Sequence, residues 1–156
     1  MIFIRLEVVI TTKEELKYRL RQHKAICLLI DSNLKELKTL EELAERTTPI
    51  YSLAPGGASN NSSKVETAVI KKIALEGKIQ QDNVRLIQVE NEIRGYLDLL
   101  DDYYPKLILH KRYLLNEKWS KIIDDVSFGE RTVFRFYNEG LDEIIKRMAV
   151  NDSEHS

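Results

Sequence analysis

The sequence predicts an all-α protein in which a long N-terminal helical hairpin precedes a C-terminal three-helix helix-turn-helix domain. Two observations support this fold class. Apolar residues recur at alternating spacings of three and four over residues 13–46 and again over residues 63–100, as on one face of a long α-helix. Nearer the C-terminus, two short helical patterns flank a tight-turn sequence at residues 127–129, which is the layout of a helix-turn-helix.

The first long helix is predicted to begin after Thr12, because Thr12 and Glu15 match a capping box. Residues 31–33, Asp-Ser-Asn, are poor helix formers and are predicted to fray or bend the helix. Seven of the nine positions in its apolar seam are apolar or small. The seam consists of Leu16, Leu20, His23, Cys27, Ile30, Leu34, Leu37, Glu41 and Ala44.

Residues 47–62 are predicted to form a flexible linker, since they contain Pro49 followed by a cluster of Pro, Gly, Ser and Asn. A second capping-box pattern, Ser63 and Glu66, predicts the start of the next long helix. Nine of the eleven positions in its seam are apolar. The seam consists of Val65, Ala68, Lys72, Leu75, Ile79, Asp82, Leu86, Val89, Ile93, Tyr96 and Leu100.

A hairpin of two such helices leaves part of its apolar surface exposed. We therefore expect a homodimer in which the helices of residues 12–100 pair as a four-helix bundle. Residues 1–11 are predicted to be a loosely ordered arm. They are not read as a signal peptide, because Arg5 and Glu7 interrupt the apolar run and no cleavage site follows.

Composition restricts the partners and the compartment. The 156 residues include 24 Lys or Arg and 25 Asp or Glu, a net charge of −1, so DNA affinity must come from local placement of charge. Residues 103–148 hold nine basic and seven acidic side chains, a net of +2. Cys27 is the single cysteine, which fits a cytoplasmic protein. No apolar run reaches membrane-spanning length, so no membrane partner is expected.

The C-terminal domain is predicted over residues 101–148, with a disordered tail at 149–156. Its first helix follows two aspartates that can cap it, and Pro105 falls in the first turn, where a missing amide is harmless. The second helix starts at Trp119, and the third runs from Glu130 to about Met148. The predicted buried face of the third helix consists of Val133, Phe136, Gly140, Leu141 and Ile144.

Residues 107–141 resemble the helix-turn-helix of sigma factor region 4 and, more closely, phage and prophage regulators of the ArpU and RinA type. Two positions depart from that pattern: Gly129 stands where a serine N-cap is usual, and Gly140 stands where alanine is usual. The matching features are Arg112-Tyr113 ahead of the motif, Trp119 at the start of its first helix, Ser127-Phe128-Gly129 at the turn, and Glu130-Arg131-Thr132-Val133-Phe134-Arg135 at the start of its second.

This resemblance implies a sequence-specific regulator of late phage or prophage genes that binds double-stranded DNA. The recognition helix, about residues 130–147, would then lie in the major groove. Phe134 points outward in this prediction, which suits either base contact or packing on a partner domain. The predicted base-contacting residues are Glu130, Arg131, Thr132, Phe134, Arg135 and Asn138. The predicted phosphate-contacting residues are Lys118, Trp119, Ser120 and Lys121. Arg112 is predicted to pair with Asp124 or Asp125.

No catalytic, cofactor or metal site is predicted, and no enzymatic activity is expected. His23 and Cys27 are four residues apart, a spacing that can hold a metal, but two ligands do not make a site and both fall on the apolar seam. Two other functions remain open. One is a small DNA-recognition subunit of a phage packaging terminase. The other is a sigma-like module that contacts RNA polymerase.

Overall fold

The structure is a computed structural model that describes residues 10–46 and 59–154, with the backbone alone for residues 59–62. All regular secondary structure in these ranges is helical, as predicted. The five helices are α1 (Lys13–Arg46), α2 (Ser59–Asp98), α3 (Tyr103–Tyr113), α4 (Trp119–Val126) and α5 (Glu130–Glu154).

The chain divides into two compact units, one of residues 1–25 and 88–156 and the other of residues 26–87. This division differs from the predicted boundary near residue 100. The reason is that Leu16, Leu20, Ile93 and Leu97, near the two ends of the hairpin, belong to the same buried core as α3, α4 and α5. The helix-turn-helix is therefore part of a larger first unit that the sequence pattern did not indicate.

The start of α1 is stabilised by the predicted capping box. The backbone N–H of Glu15 donates to the Thr12 hydroxyl at 3.2 Å, and the N–H of Thr11 donates to the Glu15 carboxylate at 3.4 Å. Ile10 is only 2% exposed and lies in the core, so the prediction of a loose arm is wrong at that residue. Residues 1–9 of the predicted arm lie outside the described residues.

The start of α2 differs from the prediction. The helix begins at Ser59 rather than at the capping-box pattern of Ser63, and the Ser63 carbonyl accepts a hydrogen bond from the Thr67 hydroxyl at 2.8 Å. Residues 59–62 contain no Pro or Gly, so nothing in them stops the helix from extending towards the N-terminus. The remaining part of the predicted linker, residues 47–58, lies outside the described residues.

In the second unit, α1 and α2 run antiparallel. Asn33 lies close to Asp82, with 3.4 Å between the amide nitrogen and the carboxylate, and Glu41 is 3.2 Å from Lys72. The eleven predicted seam positions of α2 are all buried or half-buried along the helix and its C-terminal end, which confirms that seam.

Beyond His23, the predicted seam of α1 is confirmed at Ile30, Leu37 and Ala44, which are buried or half-buried. It is wrong at Leu34 and Glu41, which are exposed. Ile26 and Asn33 are buried at 3% and 7% exposure, whereas Leu34 is 47% exposed. At alternate positions the more buried residue lies one place earlier than predicted, and Glu41 is left at the surface to pair with Lys72. The helix also continues through residues 31–33 without a break, because Asn33 donates to Asp82 instead of competing for the backbone.

In the first unit, α3 packs closely on α5 at Gly140. A Cβ atom added to Gly140 would lie 2.9 Å from Leu109 Cδ1 and 3.2 Å from Pro105 Cβ. Pro105 is buried in the first turn of α3, as predicted, while Asp102 at the N-cap makes no side-chain capping bond. Gly140, which stands where the resembled pattern has alanine, is therefore the residue that allows α3 to approach α5.

Tyr137 of α5 is buried although the predicted apolar face omitted it. Its hydroxyl lies 2.7 Å from the hydroxyl of Tyr113, which is also buried. Burial, together with this hydrogen bond, raises the pKa of Tyr113 well above its usual value. The pair joins α3 to α5 by a polar contact inside an apolar core.

We expect Tyr113→Phe to lower the free energy of unfolding by about 1 to 2 kcal/mol, because it leaves the buried Tyr137 hydroxyl without its partner. Urea denaturation followed by tryptophan fluorescence measures this change. The double variant Tyr113→Phe, Tyr137→Phe is the control and should recover part of the loss, since neither hydroxyl then needs a partner. If the double variant lost as much free energy of unfolding as Tyr113→Phe and Tyr137→Phe lose together, the two hydroxyls would not be bonded to each other.

Candidate nucleic-acid interface

The predicted helix-turn-helix is present as α4, a turn at residues 127–129 and α5. Ser127 ends α4 in the left-handed conformation, with φ 57° and ψ 26°. The Gly129 carbonyl accepts hydrogen bonds from the backbone N–H groups of Thr132 and Val133 at 3.0 and 3.1 Å. Gly129 therefore occupies the N-cap position of α5, where glycine is tolerated without a capping hydroxyl.

Helix α5 continues to Glu154, beyond the predicted end at Met148. Residues 149–154 are helical rather than part of a disordered tail.

The exposed side of the first turns of α5 carries most of the predicted base-reading residues. Glu130, Arg131, Arg135 and Asn138 are exposed, and Thr132 is half-buried. The amide nitrogen of Asn138 donates to the Phe134 carbonyl at 2.8 Å. This side chain is therefore held along the helix.

The two arginines on this side differ in their surroundings. Arg131 has no acidic side chain within 4 Å among the residues that the structure describes. Arg135 lies 3.9 Å from Glu139 in an exposed pair, and its guanidinium carbon is 5.1 Å from the centre of the Phe136 ring. An exposed pair of this kind contributes little, so both guanidinium groups remain accessible to a ligand.

Phe134 packs against the core of its own unit, which corrects the prediction that its side chain points outward. Its half-buried ring lies 4.7 Å from the Trp119 ring and 6.4 Å from the Tyr137 ring, measured between centroids. The wide indole at the start of α4 reaches across to α5 and covers the phenyl ring. The ring therefore packs inside its own unit, and neither of the two uses that the sequence left open is needed to explain an aromatic residue at this position.

Trp119 is also a packing residue. Its ring lies 5.0 Å from Tyr137 in an edge-on arrangement, and the Arg112 guanidinium lies 4.9 Å from its centre on a face of the indole. Arg112 donates to the Glu117 carbonyl at 2.9 Å rather than pairing with Asp124 or Asp125 as predicted. Arg112 therefore fixes the indole and the loop before α4, and any phosphate contact from Trp119 is left to its backbone amide.

Four charged side chains join α3 to α4, and we call them the ion-pair cluster: Lys111, Glu117, Lys121 and Asp125. Lys111 Nζ is 2.7 Å from the Asp125 carboxylate and 3.4 Å from Glu117, while Lys121 is 2.9 Å from Asp125 and 3.7 Å from Glu117. Hydrogen bonds from Lys111 and then Lys121 lower the pKa of Asp125, and the bond to Asp125 raises the pKa of Lys111.

The ion-pair cluster carries no net charge. Lys121, at which the sequence predicted a phosphate contact, is 58% exposed and lies beside the carboxylates of Glu117 and Asp125. Lys118, at the N-cap of α4, is exposed and has no acidic partner within 4 Å in the described ranges. Ser120 is likewise exposed. The phosphate-binding capacity at this end of α4 therefore depends on Lys118, Ser120 and the first backbone amides of the helix.

Asn116 makes a tertiary contact that the sequence did not indicate. It adopts a left-handed conformation, with φ 55°, in the loop between α3 and α4. Its amide nitrogen lies 3.1 Å from Nδ1 of His23, and Nε2 of His23 lies 3.0 Å from the Glu90 carboxylate. His23 is 3% exposed, which confirms its predicted core placement.

Among the described residues, no group of three His, Cys, Asp or Glu side chains could hold a metal ion.

An open depression of about 530 Å³ lies beside α3 and α5. Five carboxylates and two cationic side chains line it, which disfavours a phosphate-bearing ligand there. The charged lining residues are Asp101, Asp102, Glu139, Asp142, Glu143, Lys146 and Arg147.

No family model, curated protein or solved structure matches this chain. In the described ranges, none of the five helices has an apolar stretch long enough to cross a lipid bilayer.

Proposed function

We propose that this chain is a sequence-specific DNA-binding regulator of transcription in which α5 is the recognition helix. The observation that carries the proposal is the exposed Arg131 at the start of α5, which has no ion-pair partner in the described part of the chain and lies one turn from Arg135. Arginine reads guanine through two hydrogen bonds in the major groove. The proposed family is that of the ArpU and RinA phage and prophage regulators, acting in the cytoplasm.

Each part of the motif has a separate role in this proposal. Arg131 and Arg135 read base edges. The shorter side chains of Glu130, Thr132 and Asn138 add further contacts with the bases. Lys118, Ser120 and the first amides of α4 hold a phosphate group and so fix the orientation of the motif. The rings of Trp119, Phe134 and Tyr137 hold α4 against α5.

Two copies are part of the proposal because the net charge of −1 gives one copy little general attraction to DNA. Such a dimer reads two half-sites that are spaced by one helical turn or a multiple of it.

The test begins with selection of bound duplexes from a random-sequence pool, followed by a footprint at two salt concentrations. Arg131→Ala is expected to weaken binding to the selected site about 10- to 100-fold, while binding to random duplex changes little. Arg85→Ala is the matched control, because it removes the same charge from an exposed position on α2. A variant lacking Arg131 that binds its site as tightly and selectively as the wild type would overturn this function.

A second candidate, contact with RNA polymerase, is favoured by a group of aromatic side chains beside the turn. Tyr103 and Tyr104 are 69% and 39% exposed. The Tyr104 ring lies 4.9 Å from Phe128 and 5.4 Å from Phe136. Exposed tyrosine is frequent in protein interfaces. Binding of purified polymerase core, lost in Tyr103→Ser, together with no DNA footprint, would favour this candidate over the first.

A further inference from the structure

Within the second unit, helix α2 has two apolar faces. The face that carries its predicted seam is buried or half-buried. Another face, centred about 150° away at 100° per residue, carries four β-branched side chains that are exposed to solvent. Their exposed fractions are 61% for Ile70, 63% for Ile73, 54% for Val84 and 59% for Ile87. Exposed apolar residues that share one face of a helix in this way often mark an interaction surface.

The spacing of this face is that of a helix-pairing seam. Ile70, Ile73, Gly77, Gln80, Val84 and Ile87 follow one another at steps of three, four, three, four and three residues. These are the spacings of alternate a and d positions in a coiled coil. The seam is about 26 Å long at 1.5 Å per residue. We call these six residues the outer seam of α2.

The outer seam is self-complementary when reversed. Its spacings read the same from either end, so an antiparallel second copy places Ile70 opposite Ile87, Ile73 opposite Val84, and Gly77 opposite Gln80. Each apolar residue then meets an apolar residue, and the two polar or small positions meet each other at the centre. A two-fold interface requires this property, because the same surface must fit itself.

The residues that flank the outer seam are almost free of charge. Of the six flanking positions, only Glu76 is ionised, whereas charged residues are common at such positions. In the antiparallel arrangement, Glu76 lies near Asn83 of the second copy, so no like charges meet. The flanking residues are Val69, Ala74, Glu76, Gln81, Asn83 and Gln88.

Gly77 supports a contact with another molecule. Within a helix, glycine costs about 1 kcal/mol relative to alanine, and no atom of the described chain lies within 4 Å of the position that its Cβ would take. Packing inside the described chain therefore gives no reason for glycine. A second copy supplies one, because the longer Gln80 side chain would lie over the space at Gly77.

We propose that two copies of this chain pair antiparallel along α2 through the outer seam. The proposal deepens the proposed function, since it specifies the dimer on which that function rests. It can fail separately, because self-association is measured without DNA.

Sedimentation equilibrium of the full chain tests the pairing. Wild-type protein is expected to form a dimer. Ile73→Glu should raise the dissociation constant of this dimer about 100-fold or more, since two unpaired charges enter the interface. Thr67→Glu, which adds the same charge at an exposed position on the polar side of α2, should leave the dimer intact. Circular dichroism confirms that both variants keep their helical content.

A monomeric wild type at hundreds of micromolar, an assembly larger than a dimer, or an Ile73→Glu variant that still dimerises would each overturn the proposal. If the dimer is intact and no duplex is footprinted, the DNA-binding function fails and the proposed interface stands.

Cross-linking tests the orientation in a Cys27→Ser background. In the antiparallel pair, the two copies of position 73 lie about 16 Å apart along the axis at 1.5 Å per residue, whereas position 73 faces position 84. A thiol cross-linker shorter than this separation should join the double variant Ile73→Cys, Val84→Cys, and an equal mixture of the two single variants. Neither single variant alone should cross-link. Cross-linking of Ile73→Cys alone would show a parallel pair and overturn the antiparallel arrangement.

Discussion

Replacing Trp119 with alanine is expected to lower the free energy of unfolding of the first unit by about 3 kcal/mol, at the lower end of the range for tryptophan because the ring is half-buried. The indole touches Phe134 and Tyr137 and supports the Arg112 guanidinium, so its removal loosens α4 from α5 and from α3. The variant lacks the chain's one tryptophan. Urea denaturation followed by circular dichroism is therefore the suitable measurement.

Trp119→Phe is the matched control and should cost about 1 kcal/mol, because it keeps an aromatic ring against Phe134 but fills less space. The contrast with alanine separates a packing role from a phosphate-binding role. An alanine variant as stable as the wild type, with DNA binding lost, would restore the predicted phosphate contact of the side chain.

Replacing Gly140 with alanine is expected to lower the free energy of unfolding by about 1 to 2 kcal/mol. Alanine favours a helix by up to about 1 kcal/mol over glycine, but overpacking of a dense core costs about 1 to 3 kcal/mol. Packing decides the sign here. The Leu109 methyl group could turn away, but the Pro105 Cβ belongs to a rigid ring and lies 3.2 Å from the added Cβ. Fluorescence of Trp119 during urea denaturation reports this change within the same unit.

Gly95→Ala is the control for the effect of helix propensity. Gly95 is exposed in α2, and no atom lies within 4 Å of the position of its Cβ. The same substitution there should raise the free energy of unfolding by about 0.5 to 1 kcal/mol. If both glycine variants were stabilised equally, α3 and α5 would not approach each other as closely as the structure has them.

The fold could be predicted from the sequence wherever one local pattern determined the outcome. The capping box at Thr12, the seam of α2 and the turn at residues 127–129 all depend on residues close in sequence, and all three are confirmed. The predicted start of α2 was wrong because the helix continues past the capping-box pattern at Ser63 and begins at Ser59. The seam of α1 was wrong only at alternate positions after His23, because the choice between neighbours such as Cys27 and Ile26 depends on the partner helix.

The candidate site shows the same distinction. The exposed positions of Arg131 and Arg135 follow from helical spacing alone. The burial of Phe134 does not, since it depends on Trp119 reaching across from another helix. Lys121 pairs with Glu117 and Asp125, each four residues away, whereas the contact of Lys111 with the same two carboxylates depends on the packing of α3. Charge counts along the sequence cannot distinguish a lysine that is free from one that is held in an ion-pair cluster.

The contact between His23 and Asn116 has a consequence for how the protein reaches its folded state. These residues are 93 positions apart, and Leu16 and Leu20 share a core with Ile122 and Leu141. On a ribosome, the apolar face at the start of α1 is therefore made long before its covering helices exist. Contacts between such distant residues form slowly, and exposed apolar surface favours aggregation meanwhile. A fragment that starts at residue 101 would lack this cover altogether, so we expect α5 to be folded only when the start of α1 is also present.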